Sequence, residues 1–344
     1  MEKFRKIKVL IVDDSVVSRE MIARGIGSDI HIEVTAVAGD PFEARDKILQ
    51  THPDVITCDV EMPKMNGIEF IRRLLPQYFV PVIMVSSVSD VVFEAMAAGA
   101  VDFVAKPDVQ SPKSIENFIR DLILKIKAAS VVKAPIQRHE RTMSFNKVSS
   151  SISCDSGGII AIGASTGGTE AIYNVLSALP PTVPGIVIVQ HIPPVFSKMF
   201  ADRLNNQTAL TVKEAATGDF VEPGKVFVAP GDKHMRIKKV GKRYQIECFS
   251  GDKVNGHCPS VDVLFESVAK EVGNCAIGMI LTGMGYDGAK GLLAMRRKGA
   301  RTIGQDEASS IVYGMPKVAF DLGGVEKQAP LGHIPQILSD MLSR

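Results

Sequence analysis

The chain of 344 residues lacks an excess of charge of either sign: 40 Lys and Arg stand against 38 Asp and Glu, for a formal net charge of +2. So nearly neutral a surface carries no footprint for DNA or another polyanion, and no nucleic-acid partner is expected. No run of about 18 apolar residues occurs, which argues against a membrane span, so no membrane insertion is expected. Cysteine is sparse. Cys58, Cys154, Cys248, Cys258 and Cys275 are odd in number and include no C-x-x-C pair, so neither a disulfide framework nor a zinc knuckle is indicated. Reduced thiols in a cytoplasmic protein are the simple expectation. The opening Met1-Glu-Lys-Phe-Arg-Lys is basic, but no long apolar region follows, so a signal peptide is not expected.

What is present is ordinary globular material, 45% hydrophobic and 23% charged, enough for two cores. Domains of about 100–200 residues make two the natural division. Up to residue 127, apolar runs at Ile7–Val12, Ile32–Val37, Val55–Cys58, Val82–Val85 and Asp102–Val104 alternate with amphipathic stretches at Val16–Gly25, Phe42–Gln50, Gly67–Leu75, Asp90–Ala98 and Lys113–Lys127. Repeated strand-then-helix predicts an α/β, doubly wound parallel sheet. From Ala128 to Asp155 the pattern dissolves into Lys, Arg, Ser, Gln and Asn around Pro135. About 28 residues of this texture read as a flexible linker. The domains expected are therefore 1–127 and 156–344, joined by 128–155. The second resumes the alternation with buried strands at Ile159–Gly163, Ile186–Gln190 and Ala276–Leu281, a weaker one at Thr302–Gly304, and a last helix at Ile334–Leu342. Between Val212 and Cys248, short β segments and the turns Glu222-Pro-Gly and Ala229-Pro-Gly read as antiparallel hairpins.

In an open parallel sheet, ligands sit beyond the carboxyl ends of the strands. In the first half these ends carry Asp13-Asp14, Asp59, Ser86-Ser87 and Lys106-Pro107. Packed carboxylates repel unless a hard cation joins them, and Mg²⁺ with oxygen ligands fits. Lys106 and a serine hydroxyl could then receive a transferred phosphoryl group, with Asp59 as nucleophile. Helix capping would account for Asp14 alone, but not for the whole set. The stretches Val9-Leu-Ile-Val-Asp-Asp-Ser, Cys58-Asp-Val-Glu-Met-Pro-Lys-Met-Asn-Gly and Asp102-Phe-Val-Ala-Lys-Pro resemble response-regulator receiver domains over roughly residues 5–127. The resemblance implies a flavodoxin-like (βα)5 fold and phosphorylation of Asp59 by a partner histidine kinase. It also implies Mg²⁺ on Asp13, Asp14 and Asp59, a switch through Ser86, Phe103 and Lys106, and a cis bond before Pro107.

The second half opens on Gly158-Ile-Ile-Ala-Ile-Gly-Ala-Ser-Thr-Gly-Gly, in which Gly163-Ala-Ser165-Thr-Gly167 fits G-x-S-x-G at a strand-to-helix turn. Such a turn exposes a serine hydroxyl, and the helix that follows offers N–H groups to an oxyanion. A glycine-rich phosphate loop is the competing reading, weakened because no Gly-Lys-Ser/Thr follows. Of seven histidines only His191 directly follows a strongly apolar strand, with His257 as the next candidate base. Asp287, after Ala276–Leu281, supplies the orienting carboxylate. The same loop, Gly283-Met-Gly285-Tyr-Asp-Gly288, also matches a dinucleotide fingerprint, but an acidic side chain within it would repel a pyrophosphate.

The stretches Ile162-Gly-Ala-Ser-Thr-Gly-Gly, Gln190-His-Ile-Pro-Pro, Pro259-Ser-Val-Asp-Val-Leu-Phe-Glu-Ser, Leu281-Thr-Gly-Met-Gly-Tyr-Asp-Gly and Gln305-Asp-Glu-Ala-Ser-Ser-Ile-Val-Tyr-Gly-Met-Pro resemble bacterial chemotaxis protein-glutamate methylesterases. That resemblance implies hydrolysis of glutamate γ-methyl esters on chemoreceptors, with release of methanol, and deamidation of receptor glutamines. It makes Ser165, His191 and Asp287 a catalytic triad that needs no cofactor. It places the Met284 N–H in the oxyanion hole, with amides near Gly167 and Gly168 helping and Thr166 touching substrate. The fusion implies regulation: an unphosphorylated receiver packs over the esterase crevice and loosens on phosphorylation.

Overall fold

The computed structural model describes residues 5–87, 91–132 and 157–343, and the chain divides into two units at residue 138. The stretch 133–156, most of the expected linker, and Asp90 lie outside the described residues.

The first unit alternates β1 (Ile7–Val12), α1 (Val16–Ile26), β2 (Ile32–Ala38), α2 (Pro41–Thr51), β3 (Val55–Asp59), α3 (Gly67–Leu74), β4 (Val82–Ser86), α4 (Val91–Ala97), β5 (Asp102–Ala105) and α5 (Pro112–Ala129). The helix α5 includes Ala128 and Ala129 rather than leaving them to the linker; both are buried, Ala129 in the unit's core. Helix starts are set by capping. Asp40 accepts from the N–H groups of Phe42 and Glu43 with Pro41 in the first turn, Asn66 accepts from Glu69, and Ser111 accepts from Ser114. Each such cap stabilises its helix by about 1 kcal/mol. The strands pair in parallel in the order β2-β1-β3-β4-β5. Burial on both faces explains why β3 and β4 read as continuous apolar runs. The order reverses at β1 and β3, which opens a crevice beyond their carboxyl ends. The bond before Pro107 is trans, correcting the cis expectation: the chain leaves β5 without a turn until Val109, so nothing there calls for the tighter isomer.

The second unit contains β6 (Ile159–Ala164), α6 (Gly168–Ser177), β7 (Gly185–Gln190), α7 (Pro194–Gln207), β8 (Thr211–Glu214), β9 (Lys225–Val228), β10 (His234–Val240), β11 (Arg243–Phe249), α8 (Val261–Glu271), β12 (Ala276–Ile280), α9 (Ala289–Arg297), β13 (Arg301–Gln305), α10 (Met315–Asp321), β14 (Lys327–Ala329) and α11 (Ile334–Leu342). Seven strands form one sheet in the order β14-β13-β12-β6-β7-β9-β8, and every pair is parallel. The antiparallel reading of Val212–Cys248 holds for β10 and β11, which pair from His234–Phe249 to Val240–Arg243, and for one isolated bridge between Phe220 and Gln245. The strands β8 and β9 are parallel instead. Their connection runs without a helix because β11 satisfies its backbone: Gly218 N–H donates to Ile246, Ile246 N–H to Asp219, and Val221 N–H to Tyr244.

The helix α8 packs Val261, Leu264, Phe265 and Val268 into the core that lies over β6, β7 and β12. The sheet is built outward from β6, with β7 on one side and β12 on the other, so its reversal point lies at β6. Loops after β6, β7 and β12 therefore converge on one crevice. Among the described residues no helix is long and apolar enough to cross a membrane.

Candidate active site

In the first unit, ligand oxygens of Asp13, Asp14 and Asp59 lie within 4.8 Å of one another, with Asp14 exposed and the other two buried. Lys106 Nζ lies 2.6 Å from Asp59 Oδ2 and 3.2 Å from Asp13 Oδ2. Asp13 is fixed further by Ser18 Oγ at 2.7 Å and the Ser15 N–H at 2.9 Å. Burial pushes the Asp59 carboxyl above its usual range against the pull of Lys106. Burial works against the Lys106 ammonium too, but its bond to Asp59 and the charge of Asp13 outweigh it and raise the group. Three hard oxygen donors at one strand-end crevice suit Mg²⁺. Gly67 has to be glycine here, because a Cβ would lie 2.0 Å from the Asp59 carbonyl oxygen. Ser86 is buried, its hydroxyl donating to the Ser87 carbonyl at 2.7 Å. Phe103 is buried edge-on to Phe93, with Lys125 Nζ 5.3 Å from its ring centre.

In the second unit, Ser165 follows β6, His191 follows β7 and Asp287 lies in the loop after β12. The turn that carries Ser165 is tightly held. Ser165 N–H donates to Thr282, His191 N–H donates to Ala164, and Gln190 Nε2 donates to the Ser165 carbonyl at 2.9 Å. Gly167 takes φ +76°, a left-handed conformation that glycine adopts without strain. The Gly168 N–H is committed to the Ser165 carbonyl at 2.7 Å. That hydrogen closes the turn itself. Thr166 is only 4% exposed, and its carbonyl accepts from Thr282 Oγ1. The Gly283 carbonyl accepts from the N–H groups of Gly314 and Met315. Because a trans peptide opposes its C=O and N–H, the Met284 N–H points away from those donors.

His191 Nε2 lies 2.9 Å from Asp287 Oδ2. An ionised carboxylate only accepts, so Nε2 carries a proton, and in the neutral ring Nδ1 then has the lone pair. Nδ1 is buried and has no hydrogen-bond partner. Asp287 is itself 1% exposed and receives further donors from Asn255 Nδ2 at 2.7 Å, Ser260 Oγ at 2.8 Å, and the Val261 and Asp262 N–H groups at 2.6 and 3.3 Å. Burial alone would raise this carboxyl, but the His191 ring, Asn255 and the Val261 N–H overcome it and hold the group well below the usual carboxylate range. It therefore stays ionised beside the imidazole, as an orienting carboxylate must. Three of its donors, from Ser260, Val261 and Asp262, gather at the N-terminus of α8, where the helix dipole also favours negative charge. His257, the other histidine considered as a base, stacks on His191 with ring centres 3.7 Å apart and planes at 7°, while Asp287 engages His191.

Sequence reasoning did not assign Asn255, Ser260 and Asp262 to the site. The acidic residue that a dinucleotide fingerprint would want about 20 residues on is Asp306, and its Oδ1 accepts from Ser309 N–H and Oγ. Gly288 instead allows a close approach to α8, since a Cβ would lie 2.5 Å from Val261 Cγ1.

A model of the CheB methylesterase family matches residues 160–338, and one of the response regulator receiver domain matches residues 9–119. A Syntrophomonas wolfei protein named protein-glutamate methylesterase/protein-glutamine glutaminase 2 is 55% identical over 342 residues, with 99% of each chain covered. An Escherichia coli protein named protein-glutamate methylesterase/protein-glutamine glutaminase is 45% identical over 335 residues, covering 96% of this chain and 95% of that one. The crystal structure of the Thermotoga maritima CheB methylesterase catalytic domain matches with a TM-score of 0.53 and 38% identity, over 54% of this chain and 98% of that one. With a family match over more than half its length and relatives aligned along nearly all of it, the chain belongs to the CheB methylesterase family and carries a response-regulator receiver domain ahead of the methylesterase domain.

Proposed function

We propose that this chain hydrolyses glutamate γ-methyl esters on chemoreceptors, releasing methanol, deamidates receptor glutamines, and is switched on by phosphorylation at Asp59. The observation that carries the esterase reading is the buried His191–Asp287 pair, in which His191 Nδ1 has no hydrogen-bond partner and the His191 backbone N–H donates to Ala164, the residue before Ser165. Ser165 Oγ attacks the side-chain carbonyl carbon as its proton passes to His191 Nδ1. The carbonyl oxygen becomes an oxyanion, with the Met284 N–H as its donor. Collapse of the tetrahedral intermediate breaks the bond to the leaving oxygen, which takes the proton from Nδ1 and departs as methanol. Water, deprotonated by the same nitrogen, then attacks the acyl group and frees Ser165 and the glutamate. Asp287 holds the ring and stabilises its charged form. A glutamine follows the same path with ammonia as the poorer leaving group.

In the receiver, Asp59 Oδ takes the phosphoryl group from a chemotaxis histidine kinase. Asp13, Asp14 and Asp59 would hold Mg²⁺, which supplies neutralising charge for that transfer. Lys106, which pairs with Asp59 and Asp13, then also pairs with the phosphoryl oxygens, and Ser86 and Phe103 carry the change outward. The domains in this reading are a receiver that runs through α5 to Ala129, a linker after it, and residues 156–344. The cytoplasm is the proposed site of action, and the described cysteines Cys58, Cys248, Cys258 and Cys275 are all free. The test is methanol release from methylated receptor membranes. Ser165→Ala is expected to lower kcat by about 10³-fold or more, and activity that survives the substitution would move the nucleophile elsewhere.

A further inference from the structure

A tight turn at residues 254–257 touches both members of the proposed acid–base pair. Val254 and His257 exchange backbone hydrogen bonds at 3.0 and 2.9 Å, and the residues between them, Asn255 and Gly256, take φ +54° and +86°. Positive φ at both central positions is what a type I′ turn requires, and Asn-Gly is its preferred sequence. The turn places His257 face to face with His191, 3.7 Å away. It also aims the Asn255 amide into the interior, where Nδ2 lies 2.7 Å from Asp287 Oδ1 and 2.7 Å from Asp262 Oδ2. An amide nitrogen has two hydrogens, and here each goes to a different buried carboxylate. Asp262 is 4% exposed and is anchored on its other oxygen by the Gly291 N–H at 2.7 Å.

We infer that Asn255 is a positioning residue for the esterase reaction, holding Asp287 Oδ1 through one hydrogen while Asp262 fixes the amide through the other. The inference rests on the esterase reading above. Of the five donors to Asp287, three come from the consecutive residues Ser260, Val261 and Asp262, and one is His191 itself. Asn255 is the donor that arrives from a separate segment. A carboxylate held from one side can pivot about its Cβ–Cγ bond. A second attachment from another direction fixes its plane and keeps Oδ2 on His191 Nε2. Asp262 thus has a task without touching substrate: it leaves the Asn255 amide a single satisfied orientation.

The turn and the amide can be separated by substitution. Asn255→Gly keeps the left-handed backbone at no steric cost and removes only the amide. Asn255→Asp keeps the shape and tolerates the same backbone, but sets a third carboxylate against two others. Methanol release by the phosphorylated full-length chain is measured for both variants, with thermal midpoints recorded alongside. The expected result for Asn255→Gly is a kcat lower by about ten- to a hundredfold, with KM within about twofold of wild type. Asn255→Asp is expected to be slower still. A purely structural role in the turn gives the reverse order, because aspartate serves the turn as asparagine does. The inference is overturned if Asn255→Gly retains wild-type kcat, or if Asn255→Asp is the faster variant. Ser165→Ala in the same assay separates the two readings. If it is inactive while Asn255→Gly is normal, only the positioning role falls; if it is active, the esterase reading falls and this inference with it.

Discussion

One hydrogen atom at Gly283 separates the loop after β12 from a collision with Ser165. A Cβ there would lie 2.7 Å from Ser165 Cβ and 2.5 Å from Met315 Sδ. Methionine can yield at its flexible end, but Ser165 is pinned by its backbone bond to Thr282. Gly283→Ala is therefore expected to lower kcat by about tenfold or more through displacement of Ser165, read by methanol release at saturating substrate. The carboxyl of Asp287 makes a second claim at this scale. Its folded value is depressed from the ordinary 3.8, so its ionised form contributes stability that is fully present above that value and is lost as pH falls through the folded one. Asp287→Asn never has this contribution. The gap in thermal midpoint between wild type and Asp287→Asn is expected to narrow as pH falls below about 4, and a gap that widens there would contradict the account. Ser165, His191 and Asp287 stand out in the sequence because each follows a buried strand, directly or in the loop beyond it, and the loops at the strand ends of a parallel sheet share one crevice. Asn255 does not. An Asn-Gly pair announces a tight turn, but its amide meets a carboxylate 32 positions along the chain, and local pattern carries no trace of that pairing.

At the scale of elements, helix and strand identity followed from periodicity, while the partners of short strands did not. The strands β8 and β9 flank turn residues, and parallel neighbours ordinarily need a crossover of about a dozen residues or more, usually a helix. A hairpin was therefore the natural reading of Val212–Val228. It fails because residues 215–224 borrow their hydrogen bonds from β11, a tertiary arrangement that leaves no mark on hydrophobic alternation. The end of α5 was missed for a related reason: Ala128 and Ala129 are small and follow two lysines, yet both are buried. The same helix supplies a cation to the interior. Lys125 Nζ bonds Asp102 Oδ1 at 2.9 Å and the Phe103 carbonyl at 2.5 Å, with its side chain 13% exposed. Burial works against this ammonium, and the charges of Asp102 and Asp121 outweigh it and raise the group. Lys125→Met would leave Asp102 without its cation, at a cost of about 3 kcal/mol to the receiver. Faster hydrogen exchange in β5 and α5 is the expected readout, and unchanged protection would show that the pair contributes nothing net.

For the whole molecule, the central claim is that one chain joins a phosphate-accepting site to a serine esterase and that the first governs the second. The carboxylate cluster with Lys106 and the Ser165 crevice are built alike, each at the reversal point of a parallel sheet, which is why both were found by the same reading of strand ends. Control of one by the other is a property of populations: a tenfold rise in the active form needs only about 1.4 kcal/mol of bias. The most direct measurement is methanol release from methylated receptor membranes by the full chain, with and without a small phosphodonor and Mg²⁺, in wild type, Asp59→Asn and Ser165→Ala. The account predicts that the phosphodonor accelerates wild type, leaves Asp59→Asn at its unstimulated rate, and finds Ser165→Ala inactive in both conditions. Equal stimulation of wild type and Asp59→Asn, or activity in Ser165→Ala, would contradict it.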